Sequence, residues 1–369
     1  GCASLPPRPD LPQELAAPPT VSGDLAALTE RFITRNGEEK SGFRLIIDAH
    51  EALESRLALA DMATSSIDLQ YFIWQGDAAG VLFFDRLLSA ADRGVRVRLL
   101  IDDIGIETNT KNLAILNAHP NLDIRVYNPN PSRDYTIGGM LHFLGSMKEL
   151  NRRMHNKLMI VDNHVSITGG RNIGNPYFGL AKKYNFVDID VLSVGAVIEE
   201  SSQAFDEYWN NDAAYPVSGW NVSLEPGVYD DMRNAFHARL EAYQDLLVSY
   251  PLEPGNWQHW LVKLENDLVT GEAHFLQDDP VKIDGQDYRL IDMISYLADP
   301  SEIEIILASP YLIPDKNFLN QLRKGAEDGV DVKIITNSLA STNHTLVNSH
   351  YGKYRRPIID SGADPVSYT

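Results

Sequence analysis

One cysteine, Cys2, stands in the 369 residues, so no intrachain disulfide can form. No run approaches the roughly eighteen uninterrupted apolar residues that a membrane-crossing helix needs. Basic residues are in deficit: 32 Lys and Arg against 51 Asp and Glu give a formal charge of −19. That balance argues against broad capture of nucleic acid, which depends on cations neutralising phosphates, and no nucleic acid is expected as a partner. It also removes any long-range pull toward an anionic bilayer, so a lipid substrate would need some other hold on the membrane. Signatures of other chemistries are missing too: no Gly-x-Ser-x-Gly elbow, no Walker loop, no His-Glu-x-x-His. Ten histidines and the pair Asp102-Asp103 suggest a metal at first sight, but no ligand spacing supports one. Neither metal nor cofactor is expected.

What is present is material for a sizeable core, 44% hydrophobic residues, in a length that fits two domains or one duplicated domain. Residues 5–20, rich in Pro and Ala, read as an extended, poorly packed linker. A helical pattern follows over 25–33. Residues 67–73 alternate as a strand, 80–91 carry apolar residues at helical spacing, and 95–101 form a second strand closing on Asp102-Asp103. A helix over 108–118 and a strand over 123–127 complete the order strand–helix–strand–helix–strand, which predicts an α/β domain on a mixed, largely parallel sheet. The pattern returns at 303–307, 317–326 and 330–336. There Gly329, Val330 and Val332 repeat the spacing of Gly94, Val95 and Val97, which points to a duplication. Between the copies lies a helical pattern over 230–248 and an aromatic stretch at 257–261.

The segment His155-Asn-Lys-Leu-Met-Ile-Val-Asp162 has strand character, so His155 and Lys157 share a face and Asp162 has the opposite parity. Asp162-Asn163 is expected to turn the chain back as a hairpin through Val165–Thr168, ending on Gly169-Gly170 and Arg171-Asn172. Small residues at a strand end permit a ligand to approach the backbone. An imidazole, an ammonium and a carboxamide converging near a glycine pair make a plausible phosphate site. His155 offers a nucleophile or proton carrier, Lys157 offsets phosphoryl charge, and Asn172 can donate to phosphate oxygens.

The string His-x-Lys-x4-Asp-x6-Gly-Gly-x-Asn, formed by His155, Lys157, Asp162, Gly169, Gly170 and Asn172, resembles the signature of the phospholipase D superfamily. The surroundings Asn151–Lys157, Gly169–Gly174, Tyr71–Trp74, Arg98–Asp103 and Thr336–Ala340 resemble its class C cardiolipin synthase branch. The resemblance implies two pseudo-symmetric α/β halves enclosing one site, two copies of the motif and a covalent phosphohistidine. In that scheme one histidine attacks phosphorus and the other serves the leaving and entering alcohols, with no metal. It also implies a structural role for Asp162 and a separate carboxylate that orients the nucleophile, for which Asp188 is favoured over Asp190.

The expected organisation is a tether and helix over 1–40, a first phospholipase D-like domain over 41–212, an insertion over 213–280 and a second, incomplete domain over 281–369. The second-copy equivalent of His155 would fall beyond Thr369, so this chain alone is expected to be inactive unless two copies pair and each contributes His155. The expected activity is a phosphatidyltransferase of cardiolipin synthase type acting on phospholipids at a bacterial envelope membrane. The rivals are a phosphodiesterase or nuclease of the same superfamily and a non-catalytic envelope protein. Gly1-Cys2-Ala3-Ser4 resembles the end of a bacterial lipoprotein signal, which makes Cys2 a candidate lipidation site and a periplasmic anchor. The oligomeric state is left open.

Overall fold

A computed structural model describes residues 5–106, 108–131, 153–280, 303–309, 314, 316–338 and 345–368. Cys2, and with it the expected lipidation site, lies outside the described residues. The chain divides into two units, 1–286 and 287–369.

The larger unit begins with α1 (Asp24–Asn36), β1 (Ser41–Ile46) and α2 (Ala49–Met62). Then come β2 (Ser66–Tyr71), α3 (Ala78–Asp92), β3 (Arg96–Asp102), α4 (Thr110–Leu116) and β4 (Leu122–Tyr127). This stretch is the strand–helix–strand order read from the sequence, and β2, β3 and β4 pair in parallel. Local chemistry sets the boundaries. Asp77 caps α3 by accepting from Gly80 N, and Asn109 caps α4 by accepting from Asn112 N at 2.8 Å. After α3 the backbone turns through Gly94 at φ 95°, a region glycine enters without cost.

Beyond that ladder the sheet changes character. β5 (Leu158–Val161) and β6 (Val165–Gly169) form the expected hairpin, turned by Asp162 and Asn163 at φ 52° and 56°. The hairpin sits between β2 and β7 (Asp190–Gly195), and its pairings are antiparallel, as are β7 with β1 and β4 with β8 (Ala214–Pro216). The nine-stranded order is β8-β4-β3-β2-β5-β6-β7-β1-β9, where β9 is Val269–Gly271. In this unit, then, the parallel ladder is confined to β2-β3-β4. The remaining strands pair antiparallel because a hairpin, not a helical crossover, feeds that half. Both edge strands, β8 and β9, come from the 213–280 segment.

Helices cover both faces. On one side α2 and α3 bury Leu53, Leu57, Phe83 and Leu87 against Ile67, Leu69 and Val97. On the other, α5 (Val197–Trp209) packs Phe205, Tyr208 and Trp209 onto Leu100, Tyr127, Leu158 and Ile160. α6 (Val228–Ala242) and α7 (Gln258–Asp267) add Leu240, Trp260, Leu261 and Leu264 to the first face.

Residues 5–20 depart from expectation. They are extended, but they form a packed strap. Arg125 Nη2 donates to Glu14 Oε1 at 2.8 Å, Arg98 Nη1 donates to Glu14 O at 3.2 Å, and Ala16 N donates to Asp206 Oδ2 at 2.7 Å. Further along, Asn163 Nδ2 donates to Ala17 O at 2.6 Å. A proline-rich backbone has few donors of its own, so its carbonyls are met by side chains of the sheet.

In the smaller unit β10 (Glu304–Ala308), β11 (Asp331–Asn337) and β12 (Asp364–Tyr368) pair in parallel. α8 (Lys316–Glu327) and α9 (Thr345–Asp360) accompany them, with a core of Leu322, Val332, Ile334 and Ile358. Gly329, at φ 87°, turns the chain where Gly94 does in the first copy.

Candidate active site

His155 and Lys157 lie just ahead of β5, at the end of the sheet where β2 and β3 also terminate. The strand begins at Leu158, later than the sequence pattern implies, yet the two side chains meet. Lys157 Nζ is 2.9 Å from His155 Nδ1 and donates to His155 O at 2.6 Å. His155 is exposed and Lys157 is buried, so an accessible imidazole stands over a sequestered cation. Burial pushes the Lys157 pKa down to about 8, with Asp188 pulling the other way.

Phe72, just past β2, supplies a wall beside the pair. Its ring centre is 4.6 Å from that of His155 and 5.5 Å from Lys157 Nζ. Asp102, at the end of β3, is fully buried and accepts from Met154 N at 3.0 Å and from Arg153 Nη1 at 3.3 Å. It thereby pins the residue next to His155, and burial raises its pKa to about 6. The strand-end position of Asp102 was legible in the sequence; its partner was not.

Asp162 sits at the far end of β5 from His155. Its carboxylate accepts from Thr64 N and Oγ1, Ser65 N and Ser66 N, at 2.7–2.9 Å. These four donors tie the hairpin turn to the start of β2 and occupy the carboxylate with the scaffold. Asn172 is likewise occupied: Oδ1 accepts from Ile73 N at 2.9 Å, and Nδ2 donates to Tyr177 Oη at 3.0 Å. Its carboxamide fixes the Phe72–Ile73 bend.

The glycine pair also has a protein reason. A Cβ on Gly170 would overlap the Asp188 carboxylate, and one on Gly169 would overlap Ile189 O and the Asp190 backbone. The close approach anticipated for a ligand is made by the 188–190 segment itself. The two acids there differ sharply. Asp190 is fully buried against Arg56 Nη2 at 2.9 Å and Arg171 Nη1 at 3.4 Å. Asp188 is half-buried, interacts with Lys157, and has its pKa raised by burial. Asp188 therefore acts electrostatically on Lys157, whereas Asp190 is bound up with two buried arginines. Among the described residues no group of three His, Cys, Asp or Glu side chains could hold a metal ion, and no helix is long and apolar enough to cross a membrane.

Residues 57–209 match a family described as cardiolipin synthase, phospholipase D-like domain. Cardiolipin synthase C of Escherichia coli (strain K12) is 33% identical over 323 residues, 85% of this chain and 66% of that protein. An uncharacterized protein of Helicobacter pylori (strain J99) is 32% identical over 325 residues, 87% of this chain and 64% of its own length. The chain thus spans just under two thirds of the length of these relatives. Among solved structures, phosphatidylserine synthase of Haemophilus influenzae Rd KW20 shares the fold with a TM-score of 0.55. That match covers 91% of this chain and 76% of the other, at 14% identity.

Proposed function

The chain belongs to the phospholipase D superfamily, with likeness to its class C cardiolipin synthase branch, and from that membership we propose that it is a phosphatidyltransferase acting on phospholipids through a phosphohistidine. The observation that carries the reading is an exposed imidazole held 2.9 Å from a buried ammonium, on which Asp188 acts electrostatically.

In this reading a ring nitrogen of His155 attacks the lipid phosphorus. An N–P bond forms, the P–O bond to the leaving alcohol breaks, and that oxygen takes a proton from the second histidine the superfamily mechanism uses. The acceptor hydroxyl then gives its proton to the same group and attacks phosphorus, which breaks the N–P bond and restores His155. Lys157 moves from the ring to the phosphoryl oxygens, where its charge counts most in the transition state. While Lys157 stays an ammonium on Nδ1, the ring proton is held at Nε2. Substrate phosphate is what frees the imidazole. Asp188 steadies the imidazolium character that develops. The Pro-rich strap follows Cys2, and acylation of that residue at the envelope would supply the hold that a net charge of −19 does not.

The test is turnover of labelled phosphatidylglycerol by the protein supplied with the second histidine that the mechanism requires, and by its His155→Asn variant. Loss of product by roughly 10³-fold or more in a folded variant is expected, because a carboxamide can neither attack nor carry a proton. An acid-labile labelled enzyme on rapid quench should vanish with it. Near-normal turnover in His155→Asn would remove His155 from the mechanism. Phosphatidic acid in place of cardiolipin would identify water as the acceptor.

A further inference from the structure

Between Asp162 and Asp188 the chain carries no acidic residue, although it has 51 Asp and Glu in all. The permanent charges in that stretch are Arg171, Lys182 and Lys183. Arg171 is buried under the site, whereas both lysines are exposed on the loop 181–189. The loop is fastened. Ala181 N donates to Asn185 Oδ1 at 3.0 Å, Asn185 Nδ2 donates to Ala181 O at 3.2 Å, and Phe186 N donates to Pro176 O at 2.8 Å. That closure presents Lys182, Lys183 and Tyr184 to solvent.

Aromatic rings connect this tip to the site. Asn172 bonds Tyr177, the Tyr177 ring lies 4.9 Å from Phe186, and Phe186 lies 5.5 Å from Tyr184. Aliphatic side chains flank the ladder in water: Val187 is 90% exposed, Ile47 61% and Ile189 49%. Ile46 pairs with Asp190, so Ile47 and Ile189 extend that register toward Asp188. Apolar surface left out beside a reactive centre marks a contact. Lysines with long apolar stems, a tyrosine with one wet end, and aliphatic neighbours suit the boundary between headgroups and acyl chains.

We propose that the loop 181–189, together with Ile47, is a docking edge for an anionic phospholipid surface, which sets His155 and Lys157 at headgroup level. The proposal rests on the phospholipid reading above. Lipid is the occupant because the loop offers two cations and no unpaired acid at its tip in a strongly acidic chain. The edge also runs unbroken into the residues beside which a lipid phosphate must sit.

The test is co-sedimentation of the full chain, in a Cys2→Ser background so that no acyl anchor contributes. The vesicles are phosphatidylcholine alone, or phosphatidylcholine mixed with phosphatidylglycerol. The expected result is preferential binding to the mixed vesicles that weakens with salt. Lys182→Glu with Lys183→Glu should lower that binding at least about tenfold. Tyr184→Ser with Val187→Ser should lower binding to both kinds of vesicle, and circular dichroism should stay parental throughout. Parental binding by both double variants would overturn the proposal. So would a parent that ignores anionic vesicles or that uses the loop to self-associate. His155→Asn should bind as the parent does. If that variant keeps turnover, the phosphohistidine reading falls while the docking edge stands on the vesicle data.

Discussion

Burial of the Lys157 ammonium works against its charge, and the pKa of about 8 expresses that cost. The folded group holds its proton less firmly than an ordinary lysine, at 10.5. The destabilisation is therefore fully present below pH 8 and is relieved as pH rises from about 8 toward 10.5. Catalysis runs the other way, since only the ammonium offsets phosphoryl charge. Turnover should fall through about pH 8 on the alkaline side while stability edges upward. Lys157→Met separates the two: it should lose roughly 10²–10³-fold in turnover and gain about 2 kcal/mol in urea unfolding at neutral pH. A less stable variant would mean that the hydrogen bond to His155 O outweighs the burial cost. The neighbouring motif residue Asp162 shows how a signature mixes roles. It lies five residues from Lys157 in sequence, but its four donors all belong to Thr64, Ser65 and Ser66.

At the level of elements, the glycine pair ending β6 lets β7 and its lead-in approach closely, and the two positions should respond differently to a methyl group. Gly170→Ala displaces the Asp188 side chain, which can move, so turnover should drop roughly tenfold or more with little change in melting temperature. Gly169→Ala meets the Asp190 carboxylate, held by Arg56 and Arg171, as well as the Ile189 carbonyl and the Asp190 backbone. None of these can move without breaking a buried ion pair or the sheet, so it should cost about 2–3 kcal/mol of stability. Thermal melts and assays on both variants decide this, and equal effects would contradict the division of Asp188 from Asp190. The sequence made β2, α3, β3 and β4 legible because each carries its apolar period locally. It hid α2 because Leu53, Leu57, Ala58, Leu59 and Ala60 are all buried around the helix, leaving no polar stripe to read. It hid the contacts of Asn172 and Gly170 because their partners, Ile73, Tyr177 and Asp188, come from other elements. A motif fixes which residues matter, but not what each one touches.

Over the whole larger unit, the strap of residues 5–20 joins pieces that are far apart in the chain. Arg96, Arg98 and Arg125 from β3 and β4, Asp206 and Trp209 from α5, Asn210 just beyond it, and Asn163 from the hairpin turn all bond to it. Composition alone could not reveal this, because a Pro- and Ala-rich segment has no periodicity and its anchors lie elsewhere. Glu14 is the centre of the arrangement. Its carboxylate meets the buried Arg125 at 2.8 Å and Trp209 Nε1 at 3.3 Å, and the Arg125 guanidinium stacks 4.2 Å from the Trp209 ring. Arg125 is almost fully buried, so removing Glu14 leaves a cation in a low-dielectric layer behind the sheet with only the more distant Asp123, at 4.0 Å, as counter-charge. Glu14→Ala should therefore cost about 3 kcal/mol, and Glu14→Gln, which keeps a hydrogen-bond acceptor without the charge, should cost less. Because the strap also receives Asn163 beside the Asp162 turn, the loss should appear as faster amide exchange in the β5–β6 hairpin as well as along β4. Hydrogen exchange read element by element is the measurement that checks it. An unchanged hairpin in Glu14→Ala would show that the strap is secured at each point independently and does not bind the sheet as one unit.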